Sequence, residues 1–284
     1  MRLIHTQPRT YVGDVARSSR GPPASHPEGA CPWSGSGSFT PWYRYPARMA
    51  ESDAAAPAEL TGALADRDYR EAVVDLLAVV AYGELSAFER LVEDAKLAPT
   101  LEDKLALAQM AGAELAKVQP LIDRISKLGG DPFAAMAPFH EALDEFHAHT
   151  APADWHEGLV KAFVGDSLAR DFYREIAAFL DPDTRDLVVS SVVEGQHSAF
   201  AVDRLRQAIA DDPPLGGRLA LWGRRLMGEA LIQAQRVAAD RDALTALLVG
   251  GVDRPGLDLA ALGRMFTRLT ERHSERMAEL GLDP

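Results

Sequence analysis

Four acidic side chains interrupt apolar stripes in segments that have the periodicity of α-helices. Each stripe advances by three or four residues, which is the spacing of positions on one helix face. The acidic residues are Glu84, Glu114, Asp166 and Glu194, and His197 follows Glu194 by three residues. Carboxylates buried among apolar side chains need compensating cations, and carboxylate and imidazole groups bind iron and manganese. The pattern therefore predicts two metal ions among these residues.

The spacing of the acidic residues predicts that they lie in one layer. Glu84 precedes Leu97, at the end of its segment, by as many residues as Glu114 follows Leu101, at the start of the next. Since an α-helix rises about 1.5 Å per residue, the two carboxylates should be level across an antiparallel pair. Similar spacing in the second pair of segments places Asp166 in the same layer.

Helical periodicity extends from Asp66 to the end of the chain, and no segment alternates as a β-strand does. The predicted all-α fold has helices at 66–97, 101–128, 133–148, 153–180, 182–211, 215–248 and 257–280. Short loops make the first two helices antiparallel neighbours, and the same holds for the fourth and fifth. The third is a crossover between these pairs, and the last two are C-terminal additions to a four-helix core.

The first 58 residues lack this periodicity and are rich in Pro, Gly and Ser. This composition predicts a disordered N-terminal extension, residues 1–58, followed by one helical domain, residues 59–284. Met49 precedes the string AESD, which is typical of a natural start. We therefore interpret residues 1–48 as upstream sequence from a misassigned start codon.

Composition limits the class of protein. Cys31 is the only cysteine, which excludes an internal disulfide and a thiolate-rich metal site. The net charge of −12 disfavours general binding to nucleic acids. No apolar run is long enough for a membrane span, and no secretory segment is recognisable. We therefore expect a cytoplasmic protein without a membrane partner.

The acidic pattern resembles that of ferritin-like di-iron bundles, in which four helices supply Glu, Glu-x-x-His, an acid and Glu-x-x-His. The corresponding residues here are Glu84, Glu114-x-x-Lys117, Asp166 and Glu194-x-x-His197. Four strings are also similar to tRNA-(2-methylthio-isopentenyladenosine) hydroxylase-like proteins of high-GC bacteria: AYGELSAFER (81–90), FVGD (163–166), DFYRE (171–175) and GEALIQAQ (228–235). The resemblance covers residues 66–282.

This resemblance implies a di-iron oxygenase that activates dioxygen to hydroxylate an unactivated carbon, with a modified tRNA nucleoside as the substrate. It implies that Glu84, Glu114, Asp166, Glu194 and His197 hold two iron ions, for which manganese is an alternative. An external donor would supply electrons, because the sequence contains no flavin or nicotinamide motif.

Lys117 stands where the ferritin-like pattern has histidine, and a protonated ammonium group cannot bind a metal ion. We expect Lys117 to replace the charge of a metal ion by pairing with Glu114 or Asp166, or to extend outward and leave a coordination position open. The site would then hold one metal ion, two weakly, or none. Lys117 favours a second hypothesis, a non-catalytic helical protein that acts through partner binding. A simple iron-oxidising or iron-holding protein is a third.

Two further residues are candidates for supporting roles near the layer. Tyr173 either packs against the site, forms a hydrogen bond with Asp166 or binds a metal ion. Glu229 either supports the metal ligands or pairs with Arg225 or Arg236, and we favour pairing. The sequence leaves open whether the protein forms a homodimer.

Overall fold

The computed structural model describes residues 62–191, 197–250 and 257–284, except for the side chains of His197, Ser198 and Leu259. The predicted N-terminal extension thus lies outside the described residues. The chain in these ranges forms α-helices and short 3₁₀ turns without a β-strand, which confirms the all-α prediction. In the same ranges, none of the helices is both long enough and apolar enough to traverse a lipid bilayer.

The α-helices are numbered here in chain order. They are α1 Arg67–Asp94, α2 Leu101–Lys127, α3 Pro132–Met136, α4 His140–His149, α5 Trp155–Ala177, α6 Pro182–Ser191, α7 His197–Asp211, α8 Pro213–Asp240, α9 Asp242–Val249 and α10 Leu259–Glu279. The helix predicted at 182–211 corresponds to α6 and α7, and the intervening residues 192–196 lie outside the described residues.

Helices α1 and α2 form the predicted antiparallel pair. The Asp66 carboxylate accepts hydrogen bonds from the backbone N–H groups of Asp68 and Tyr69 at the start of α1. The Thr100 hydroxyl accepts one from Asp103 at the start of α2. These caps satisfy amides that have no partner within the helix. Gly129 follows α2 with a φ of 85°, a conformation that glycine adopts without a steric penalty.

The crossover differs from the single helix predicted at 133–148. It consists of α3, a 3₁₀ turn at Ala137–Phe139, and α4. Pro138 lies in this turn and has no backbone N–H, so it cannot donate the hydrogen bond that a continuous α-helix requires. The crossover therefore consists of two short α-helices joined by a 3₁₀ turn in place of the single helix predicted.

The helix predicted at 215–248 is also divided, and the single-helix prediction is wrong. The backbone of Arg241 has φ −129° and ψ 83°, outside the helical range, between α8 and α9. Its guanidinium group donates two hydrogen bonds to Asp75 on α1, at 2.6 and 3.0 Å. This ion pair stabilises the break, and Leu247 of α9 then packs in the apolar cluster around α1. The C-terminal addition thus has three helices in place of the two predicted.

Two apolar clusters fill the bundle, and a polar layer separates them along three helices. Helices α1, α2 and α5 each contribute one end to the first cluster and the other end to the second. For α1 these ends include Leu91 and Leu77, and for α2 they include Leu107 and Leu121. Three of the predicted acidic residues, Glu84, Glu114 and Asp166, lie between them, which is where the site is built.

Candidate functional site: a carboxylate layer with internal cations

The polar layer brings together three of the predicted acidic residues and two basic ones. Helix α1 supplies Glu84, α2 supplies Glu114 and Lys117, and α5 supplies Asp166 and Arg170. Glu84 is only 7% exposed, and the neighbouring positions on its helix face are apolar and buried. The helical period therefore directs a charged group into the core at this level, as the sequence predicts.

Lys117 lies between the two glutamates of the α1–α2 pair. Its Nζ atom is 2.5 Å from Oε2 of Glu114 and 3.3 Å from Oε2 of Glu84. Glu84 and Glu114 are therefore level, as their spacing predicts. Of the two alternatives predicted for Lys117, the pairing with Glu114 is confirmed; its contact with Glu84 was not predicted.

The protonation of this trio follows from burial and from the charges around each group. Burial raises the pKa of Glu84 to about 9, and the adjacent Glu114 reinforces the rise. Burial by itself would also raise the pKa of Glu114, but its hydrogen bond with Glu84 and the charge of Lys117 lower it overall. Burial opposes the charge of Lys117, yet the two glutamates raise its pKa above the ordinary value. Near neutral pH Glu84 is therefore protonated, Glu114 is a carboxylate and Lys117 is an ammonium group.

Asp166 has a cation of its own. The Arg170 guanidinium group, one helical turn further along α5, lies 3.0 Å from Oδ2 of Asp166. Burial raises the pKa of Asp166, and Arg170 opposes that rise. The Asp166 side chain keeps 31% of its surface exposed, so solvent screens it more than it screens Glu84. The spacing of four residues could have indicated this partner from sequence.

Tyr173 lies at the same layer, beside α1. Its hydroxyl oxygen would be 3.2 Å from a Cβ atom at position 83, so Gly83 provides the space that this hydroxyl occupies. Burial raises the pKa of Tyr173, and the neighbouring acidic residues Glu84, Asp166 and Glu114 add to the rise. The hydroxyl therefore stays protonated and can donate a hydrogen bond within the layer.

Each carboxyl group of the layer thus has a proton or a basic side chain beside it. Glu84 is neutral when protonated, Lys117 contacts Glu114, and Arg170 lies beside Asp166, where it opposes the rise in pKa that burial causes. In the part of the chain that the structure describes, no three His, Cys, Asp or Glu side chains converge as a metal site. An ammonium group stands where a bridging metal would contact both glutamates, so the described side chains do not fit a pair of metal ions.

The remaining predicted site residues are distributed differently. Glu194 and the side chain of His197 lie outside the described residues. Glu229 accepts hydrogen bonds from His149, at 2.7 Å, and from Gln233, at 3.0 Å. Glu229 is therefore paired, as we favoured, but its hydrogen-bond partners are not the predicted arginines.

One buried acid next to the layer was missed by sequence reasoning. Asp171 is fully buried, and its Oδ2 atom lies 2.5 Å from Arg276 of α10. Arg174 and Arg272 approach its Oδ1 atom at 3.5 and 3.8 Å. Asp171 lies in the string DFYRE, but its partners on α10 are about a hundred residues away in sequence. The ion pairs of Asp171 with Arg272 and Arg276 join α10 to α5.

The shifted pKa of Glu84 predicts a specific pH dependence. The folded protein keeps a proton on Glu84 up to about pH 9, whereas an ordinary glutamate releases it near 4.5. The free energy of unfolding should therefore fall as pH rises between these values, by at most about 1.4 kcal/mol per pH unit. Glu84→Gln mimics the protonated acid and should remove this fall. Urea unfolding of both proteins between pH 5 and 9 gives the free energy of unfolding at each pH. The contributions of the other titrating groups are common to both proteins and cancel when one profile is subtracted from the other. Parallel pH profiles would contradict the assignment.

The fold and the acidic layer together define the class of protein: a ferritin-like helical bundle. Comparison with protein families supports this assignment, because the family model for a ferritin-like domain of actinomycetes matches residues 67–251. The chain belongs to this ferritin-like family. Comparison with curated proteins gave no match.

Proposed function

We propose that this chain is a ferritin-like protein in which internal cations and a proton take over the role of the metal ions, and that it acts by binding partners. The observation that carries this proposal is the position of Lys117, within hydrogen-bonding distance of both Glu84 and Glu114. A metal ion bridging these carboxylates would have to displace the ammonium group. Because each carboxyl group of the layer already has a proton or a basic side chain beside it, we assign the layer a structural role and place the binding of partners on the outer surfaces of the bundle.

Elemental analysis of the full-length protein and of Lys117→His tests this proposal. Both are expressed with iron and manganese supplied. We expect far less than one metal ion per wild-type chain, and more in the variant, because a neutral imidazole binds these metals and removes the competing charge. Two metal ions per wild-type chain would overturn the proposal.

A di-iron oxygenase that hydroxylates a modified tRNA nucleoside is the second candidate. It is favoured by the level carboxyl groups of Glu84 and Glu114, which are close enough to share a hydrogen bond. With Asp166, Glu194 and His197 they would form the ligand set of iron, and electrons would come from an external donor. The modified-nucleoside profile of tRNA from a deletion strain tests this candidate. An unchanged profile would count against hydroxylation of tRNA, and an iron-holding protein would also leave it unchanged.

A further inference from the structure

Helix α10 lies outside the part of the chain that matches the ferritin-like family model. The match ends at residue 251, and α10 spans Leu259–Glu279. The helix nevertheless packs on the bundle, because Met277 lies against Gly223 of α8, where a Cβ atom would collide with the Met277 sulfur. Met277 also belongs to the same apolar cluster as Leu219 and Leu226 of α8. Helix α10 is therefore an addition that covers apolar side chains of α8.

Ion pairs hold α10 on α5. Arg268 and Arg272 contact Glu175 at 2.5 and 3.1 Å, and Arg276 contacts Asp171 at 2.5 Å. Arg268 and Arg272 are 37% and 33% exposed, so solvent screens their pairs more than it screens the pair of Arg276. Both carboxylates of α5 are thus already bound by arginines of α10.

His273 occupies a core position of α10. The buried positions of the helix recur every fourth residue, at Met265, Leu269, His273 and Met277. His273 is 5% exposed, and neither of its ring nitrogens has a hydrogen-bond partner among the described residues. Buried polar groups in folded proteins are nearly always hydrogen-bonded, and one left without a partner destabilises the packing around it. An imidazole at this position therefore makes the docking of α10 weaker than leucine would.

The surroundings of His273 oppose its protonation. Burial lowers the pKa of His273 below its ordinary value of 6.5, and the charge of Arg276 on the same helix lowers it further. Charged side chains of other helices also reach α10 or the residues that follow it, and each is bound there to an arginine or a carbonyl oxygen: Asp171 and Glu175 of α5, Arg206 of α7 and Arg224 of α8. Within the described part of the chain, a protonated His273 would thus add a buried positive charge beside Arg276 without gaining a carboxylate partner.

We propose that α10 is a pH-sensitive strap, which covers part of α5 and α8 at neutral pH and detaches when His273 is protonated. In the detached state the imidazole is solvated and binds a proton readily, so acid favours detachment. The equilibrium constant for detachment should rise as pH falls below 6.5, by at most about tenfold per pH unit. Detachment uncovers apolar side chains of α8 and would control whether a partner can reach them; this consequence rests on the function proposed above.

Hydrogen exchange of the full-length protein at pH 7 and pH 5 tests this proposal, with rates corrected for the intrinsic effect of pH. In the wild type we expect the amides of α10 to exchange roughly tenfold faster at pH 5, with a much smaller change in α2. His273→Leu should slow exchange in α10 at both pH values and remove its pH dependence, because leucine needs no hydrogen bond and binds no proton. Equal exchange of wild-type α10 at the two pH values would overturn the proposal.

His149→Leu is the matched control, because the His149 side chain is 53% exposed and lies on α4. It should leave the pH dependence of exchange in α10 as in the wild type. If His273→Leu kept that pH dependence, groups other than His273 would cause it and the proposal would fail. Circular dichroism shows whether the variants fold, and His273→Met replaces His273→Leu if the latter does not. Metal analysis of the same samples tests the proposed function separately, so the two proposals can fail independently.

Discussion

Lys117→Met should lower the free energy of unfolding by about 3 kcal/mol at pH 7, because a buried acid that loses its cation is strongly destabilising. Methionine keeps the length and apolar stem of lysine but removes the ammonium group that contacts Glu84 and Glu114. Because Glu84 is already protonated, most of the lost stability comes from the Glu114 carboxylate, which keeps its charge but loses its cation. The loss should shrink under acidic conditions, where Glu114 also accepts a proton. Urea unfolding at pH 7 and at acidic pH measures both effects.

Two comparisons separate this electrostatic effect from a general one. Lys96→Met removes an exposed lysine and should change stability by less than about 1 kcal/mol. Adding Glu114→Gln to Lys117→Met removes the unpaired charge and should recover most of the loss, since the two residues are directly coupled. A Lys117→Met protein as stable as wild type would show that the ammonium group does not neutralise the layer.

Asp171→Asn should destabilise the protein by about 3 kcal/mol, because it leaves the largely buried guanidinium group of Arg276 without its carboxylate partner. Asparagine has nearly the same shape, so the loss reports the charge and not the packing. Arg276 is the partner most affected, since its side chain is only 17% exposed, whereas Arg174 and Arg272 reach solvent. Thermal or urea unfolding of the variant measures the loss.

Asp183→Asn is the matched control for this substitution. Asp183 is 83% exposed and lies 3.7 Å from Arg124, so its removal should cost at most about 1 kcal/mol. Because the Asp171 cluster joins α10 to α5, hydrogen exchange in Asp171→Asn should rise first in α10. Equal effects of the two substitutions would contradict the idea that burial makes Asp171 important.

The inward acids could be predicted from sequence because apolar periodicity is a local property. Glu84 and Glu114 each interrupt a stripe whose other members belong to a buried cluster, so their direction follows from their neighbours alone. Their common height follows from the loop between α1 and α2. The identity of Lys117 indicated a cation in the layer, but only the structure shows that it contacts both glutamates.

The break in the crossover follows from the local residue Pro138, but two other errors arose where distant partners decide the local structure. Nothing near Arg241 opposes a continuous helix, and the break is stabilised by Asp75, which lies far away in sequence. Asp171 likewise depends on Arg276 of α10, and its sequence context marks Arg174, three residues on, but not this distant partner. Arg170 differs from these, since its spacing from Asp166 is local and a search for pairs four residues apart would have found it.

The measurement that tests the central proposal most directly is a crystal structure of the wild-type protein grown with excess manganese, with anomalous data that locate bound metal. We predict Lys117 between Glu84 and Glu114, and no anomalous peak within bonding distance of either carboxylate. Anomalous peaks bridging these glutamates, with Lys117 turned away from them, would contradict the proposal and favour the metal-dependent candidate.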